Sequence, residues 1–296
     1  MALTSLPTRL PVQGVGLEVW LERVLERAER VQPAWDAADV HALRVAIRRC
    51  RTMADALSEV NPGPGWRKLK KSTRELFRAL GKLRDTQMER ALVKRLGPPG
   101  DPLRKHMLRL LSREQQRYRE SAEQALIRFD RKEWKKLSRR LASKARFFPL
   151  GSVVFQRLAL ARLNRAADLY RKARKQRSSV AWHRLRVGLK RFRYVAENFM
   201  PQRYEAWADD LKRMQDLLGE VHDLDVLRAD LRRRVTDVDA AIVAQWFERI
   251  DRERKARLRE FTEKCAGPES PWLTWRAGFP WGPALAASSL DERRTA

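Results

Sequence analysis

The sequence predicts an all-α protein built as two antiparallel four-helix bundles in tandem, and three observations carry that prediction. Apolar residues recur at helical spacing along most of the 296-residue chain, and nowhere does a Val/Ile/Thr alternation bounded by turn residues mark a strand. Breaks rich in Pro and Gly interrupt the pattern at short intervals. One stretch also occurs twice: H-A-L-R-V-A-I-R-R-C-R at 41–51 returns as H-R-L-R-V-G-L-K-R-F-R at 183–193, with the residue type kept at eight offsets.

Taken in order, residues 1–14 form a Pro-containing lead. Leu17, Leu21, Val24, Ala28 and Val31 then place a helix that Pro33 stops. Asp36 or Asp39 caps the next helix, which carries His41 and runs to about Val60 before the N-P-G-P-G break at 61–65. A long helix is expected from Trp66 to Leu96, ended by G-P-P-G-D-P, followed by a helix over 103–128 and a short basic segment at about 131–145. F-F-P-L-G-S at 147–152 divides the halves, giving 15–148 and 149–265. The second half repeats the order with helices over 153–177, 183–199, 203–234 and 237–265. L-G-K-L-R-D at 80–85 also aligns with L-G-E-V-H-D at 218–223, the four-residue change of offset being absorbed by the longer first turn. The tail at 266–296, with Trp272, Trp275 and Trp281, is either an irregular strap across the bundle or a docking segment.

Charge narrows the function. Sixty-four Lys and Arg against 37 Asp and Glu give +27, all of it within residues 1–265 because the tail balances three of each sign. Such an excess describes partners rather than fold and points to a polyanion: nucleic acid, anionic lipid or a phosphate polymer. Two cysteines make a disulfide scaffold unsuitable and agree with a reducing compartment. No apolar run is long enough to span a bilayer and the N-terminus lacks an apolar signal core, so a cytoplasmic protein is expected.

On a helix, His41, Arg44, Arg48 and Arg51 fall within about 80° of arc, opposite Leu43, Ala46, Ile47 and Cys50. That face carries no carboxylates at pairing distance, and its cations recur about once per turn over roughly 15 Å. Arg67, Lys71, Arg74, Arg78 and Lys82 draw a second line on the next helix. Planar guanidinium groups can hold two oxygens of one phosphate, and a phosphate would favour the charged form of His41 and His183. Asp85 and Asp223 are placed to hold a neighbouring Arg, and the mid-helix Gly81 and Gly219 suggest a close helix crossing or a kink.

Enzyme signatures are missing: there is no G-x-x-x-x-G-K-[ST], G-x-G-x-x-G, H-E-x-x-H or C-x-x-C, and no cofactor or metal is implied. His183, His222-Asp223 and Asp251 superficially resemble a helical HD-type metal phosphohydrolase. His222-Asp223 is, however, the second copy of Arg84-Asp85, which has no His.

The two His-containing stretches together with L-G-K-L-R-D and L-G-E-V-H-D resemble the paired signatures of the CHAD domain, the conserved histidine α-helical domain, over about residues 15–265. The resemblance implies two four-helix bundles related by pseudo-twofold symmetry around a basic surface or channel that binds inorganic polyphosphate, with association to polyphosphate granules and their proteins. By position the binding residues are His41, Arg44, Arg48 and Arg51, and His183, Arg186, Lys190 and Arg193. The E-x-E-x-K of a triphosphate tunnel domain is not found, so a stand-alone, non-catalytic module is expected. Lys71, Arg74, Arg78 and Lys82 align with Asp209, Lys212, Asp216 and Glu220, so the site should be lopsided, with the second long helix adding little beyond Lys212. Nucleic-acid binding is the competing reading, although Tyr194 is the nearest aromatic for stacking a base.

Overall fold

The computed structural model describes residues 16–280 apart from 33, 236 and 237; the lead at 1–14 and Trp281 lie outside the described residues. Among these, eleven α-helices follow one another: α1 (Leu17–Arg30), α2 (Ala37–Val60), α3 (Pro64–Ser72), α4 (Arg74–Leu96), α5 (Pro102–Ile127), α6 (Arg131–Ala145), α7 (Val153–Gln176), α8 (Ser179–Phe199), α9 (Pro201–Arg234), α10 (Ala240–Lys264) and α11 (Pro271–Ala277). None of the described helices is long and apolar enough to cross a membrane.

Local chemistry sets the helix ends. The Asp36 carboxylate accepts from the Asp39 N–H at 2.7 Å and so caps α2, while Asp101, Asp130 and Ser178 do the same for α5, α6 and α8. Pro occupies the first helical position of α3, α5, α9 and α11, where its missing N–H costs nothing.

α1 packs on α2 as α7 packs on α8, and α4 pairs with α5 as α9 pairs with α10; between halves, α2 meets α8 and α4 meets α9. The halves share one core. Its buried cluster runs from Leu17 through Leu43, Ile47, Phe155 and Leu189 to Phe279, and a smaller cluster around Trp246 joins the α4/α5 hairpin to α9/α10. Trp246 donates its indole N–H to Asp101 at 3.0 Å and lies so close to Gly97 that an added Cβ would run into its ring.

Two expectations change. Trp66 to Leu96 is not one helix, because the chain breaks at Thr73. The Ser72 and Thr73 hydroxyls both donate to the Leu69 carbonyl, competing with helix continuation. The Arg51 guanidinium donates to the Lys70 carbonyl and to Thr73 Oγ1, thereby satisfying acceptors that the break exposes. In the second half Gln215 accepts from Arg193 at 3.0 Å with its side chain, and α9 runs unbroken for 34 residues. The tail, in turn, contains a helix rather than an irregular strap. Trp272 and Trp275 of α11 are fully buried against Tyr170 and Phe192, at ring separations of 5.7 and 5.5 Å.

Candidate functional site

Where α2 and α4 face α8 and α9, they enclose a cleft of about 870 Å³. α2 contributes His41, Arg44, Arg48 and Arg49, and α8 contributes Arg186, Lys190, Arg193 and Tyr194. α4 adds Arg84, Asp85 and Glu89, while α9 adds Arg213, Gln215, Gly219, His222 and Asp223. The repeated stretches therefore line facing walls. Their apolar faces, with Leu43 and Ile47 on α2 and Leu185 and Leu189 on α8, sit in the core and fix the direction of the basic faces.

Five Arg or Lys side chains of this lining form no ion pair among the described residues: Arg44, Arg48, Arg84, Arg186 and Lys190; Arg84 donates to the Ala37 carbonyl at 3.3 Å, and the other four, two from each half, converge from α2 and α8. The Nε atoms of Arg44, Arg48 and Arg186 are buried without a hydrogen-bond partner. Aromatic faces hold two of them, Arg44 over Phe77 and Arg48 over Tyr194, each 5.3 Å from the ring centroid. Lys190 responds most strongly. Burial, then Arg186, Arg48 and Arg44, push its pKa down from 10.5 to about 7, against a weaker opposing pull from Asp223. Burial and the neighbouring Arg84, Arg48 and Arg44 likewise lower His41. His222 is driven to about 4 by burial, Arg186, His183 and Lys190, and its Nδ1 lies 3.3 Å from that of His183. Buried, mutually repelling cations that no carboxylate pairs directly form a site prepared for an anion.

Other basic residues are already engaged. Arg49 pairs with Glu197 and stacks on Trp20, and Arg193 donates to Tyr204 at 3.1 Å and to Gln215. Arg51 is half-buried at the α3/α4 break, outside the cleft lining. The two repeats thus spend their last Arg in the same way, fastening the His-bearing helix to the helical segment after it.

Sequence and structure diverge on several residues. Lys71, Arg74, Arg78, Lys82, His183 and Lys212 do not line the cleft; Lys82 lies over the Tyr118 ring of α5, and Lys212 pairs with Asp216 at 2.7 Å. The lopsidedness is therefore absent from the cleft itself. Asp85 and Asp223 do enter it, where both favour the charged form of Arg186, but neither forms an ion pair with it. Burial raises the Asp223 pKa, opposed first by Arg186. At neither Gly81 nor Gly219 does another helix's backbone approach within 4 Å of where a Cβ would stand. A Cβ on Gly81 would meet only the Arg44 guanidinium, at 3.7 Å, and one on Gly219, which lines the cleft, nothing within 4 Å. Arg49, Arg84, Arg213 and His222 belong to the lining as well; the signal for Arg84 and His222 was their shared position in the 80–85 and 218–223 repeat.

The hydrolase constellation does not assemble. Asp251 is paired with Arg228 at 3.2 Å, and no group of three or more His, Cys, Asp or Glu among the described residues is arranged to hold a metal ion.

These features define a class, an all-α protein of two joined helical halves with a cationic cleft between them. The CHAD domain model matches residues 17–232, and the chain belongs to the CHAD domain family, which is linked to polyphosphate. Its fold is similar to that of the CHAD domain from the plant Ricinus communis, with 24% identity, 90% of each chain covered and a TM-score of 0.58. It is also similar to PptA from Streptomyces chartreusis, with 18% identity, 84% of this chain and 96% of that chain covered and a TM-score of 0.63. Comparison with curated proteins finds no match.

Proposed function

We propose that the cleft binds inorganic polyphosphate without catalysing a reaction on it, as a cytoplasmic module that associates with polyphosphate granules. One observation carries the reading: Arg44, Arg48, Arg186 and Lys190 converge from two helices, with three guanidinium Nε donors buried and no counter-charge paired to any of the four. A polymer with closely spaced anionic charges supplies several counter-charges at once, and guanidinium forks fit its oxygens. Family membership points the same way.

Nucleic acid is the competing polyanion. Tyr194 is the one Phe, Tyr or Trp in the lining; it is 9% exposed and covered by Arg48, so no open ring face awaits a base. Competition at physiological salt and equal phosphate concentration separates the two. Long-chain polyphosphate should displace duplex DNA and RNA; displacement of polyphosphate by either nucleic acid refutes the assignment. By analogy with nucleic acids, affinity should fall with log salt at a slope of about 0.7 to 0.9 per phosphate neutralised, hence near 3 for these four converging cations alone.

A further inference from the structure

We infer that the cleft opens onto a one-sided cationic track over α3 and α6, along which a long polyphosphate chain continues after leaving the cleft. This rests on the reading of the cleft given above and adds where the polymer goes.

Charge is concentrated there. α3 and α6 together hold eleven Lys or Arg against the single carboxylate of Glu133, which pairs with Lys68 at 2.5 Å. Arg67, Lys71, Arg74, Lys136 and Arg140 are exposed, and none forms an ion pair among the described residues. Fields of this kind retain a flexible polyanion without a shaped pocket.

The geometry connects this surface to the cleft. Arg51 lies one turn beyond Arg48 on α2, donates to the Lys70 carbonyl of α3 and senses Arg74 electrostatically. Arg67 and Lys71 lie four residues apart on the outer face of α3, opposite the buried Trp66 and Leu69. At the N-terminus of α3, a Cβ on Gly65 would stand 3.3 Å from the Arg140 guanidinium, so α3 and α6 form one surface. α6 then extends it by about 22 Å, with Lys136 and Arg140 on one face.

The start of α9 and α11, the segments that follow the His-bearing α8 and α10, offer no such exit. The first ten residues of α9 carry Arg203 against Glu205, Asp209 and Asp210, and Lys264 pairs with Asp210 at 2.7 Å. Beyond α10 comes α11, whose one cation, Arg276, is buried. A chain leaving the cleft therefore meets positive potential along α3 and α6, and no comparable excess along the start of α9 and α11. The lopsidedness visible in the sequence lies in the exit rather than in the cleft.

The test compares tripolyphosphate, too short to leave the cleft, with long-chain polyphosphate. The variant combines Arg67→Gln, Lys71→Gln, Lys136→Gln and Arg140→Gln, all at exposed positions. Its Kd for tripolyphosphate should stay within about twofold, while that for the long chain rises roughly tenfold or more and the salt slope drops by about 3. Unchanged long-chain affinity and slope would overturn the track, as would equal weakening toward both ligands. The cleft reading fails separately, if tripolyphosphate binding survives neutralisation of Arg44, Arg48, Arg186 and Lys190.

Discussion

Lys190 makes polyphosphate binding a proton-uptake reaction. In the free protein its pKa lies near 7, lowered by burial and by Arg186, Arg48 and Arg44, so near neutrality about half of the molecules carry a neutral amine there. A phosphate chain in the cleft restores counter-charge, favours the ammonium form and raises that pKa toward its ordinary value. Above pH 7, binding must therefore recruit a proton, and the Kd should rise by a factor approaching ten per pH unit up to the pKa of the bound state. The assay is titration with long-chain polyphosphate between about pH 6.5 and 9.5 at fixed ionic strength, with heats measured in two buffers of different ionisation enthalpy to count protons. Lys190→Arg keeps the cation at every pH used and should flatten the profile. A flat profile for the parent protein, or the same slope in Lys190→Arg, refutes the reasoning.

The same contacts set four further outcomes. The free protein should gain stability as pH rises from about 7 toward 10, because the unfolded chain keeps its Lys190 proton while the folded one releases it; the gain is at most about 1.4 kcal/mol per pH unit, and thermal melts of Lys190→Met should lose it. Arg44→Gln with Arg186→Gln should weaken polyphosphate binding at least tenfold yet raise the melting temperature, since the cations repel one another without ligand; a fall in melting temperature contradicts this. Arg51→Ala should cost about 1 to 3 kcal/mol in urea melts by leaving the Lys70 carbonyl poorly satisfied, with tripolyphosphate affinity changed less than threefold. Gly81→Ala should stabilise α4 by about 0.5 to 1 kcal/mol in the same melts, because its Cβ meets only Arg44 at ordinary contact distance.

The helices were legible because each rule that sets them is local. Period, caps and Pro or Gly breaks placed α1, α2, α5 and α7 to α10 within a few residues of their observed ends, while α6 was read only as a short basic segment. The α3/α4 break was not legible, although Ser72-Thr73 is a local signal, because the break also depends on Arg51 reaching across from α2 to donate to the carbonyl it exposes. α11 was missed for a different reason: its seven residues form a helix whose two tryptophans bury against α7 and α8, a tertiary cause with little propensity behind it.

For the site, duplication revealed which face of α2 and α8 is cationic, and Arg44, Arg48, Arg186 and Lys190 do converge. Periodicity could not say which cations remain free. Arg51 and Arg193 occupy the same helical face as their neighbours but reach the next helix, while Lys212 finds Asp216 within its own. Pairing depends on which helix comes to lie alongside, and in a sequence that information exists only as aligned positions such as Arg84 and His222.

The most direct measurement is binding of long-chain polyphosphate to the variant that joins Arg44→Gln, Arg48→Gln, Arg186→Gln and Lys190→Gln, with circular dichroism confirming its helical content. The cleft account predicts a folded protein, at least as stable as its parent, whose affinity has fallen a hundredfold or more by rough estimate, with most of the salt dependence of the cleft lost. A folded variant that binds polyphosphate as tightly as its parent would contradict it.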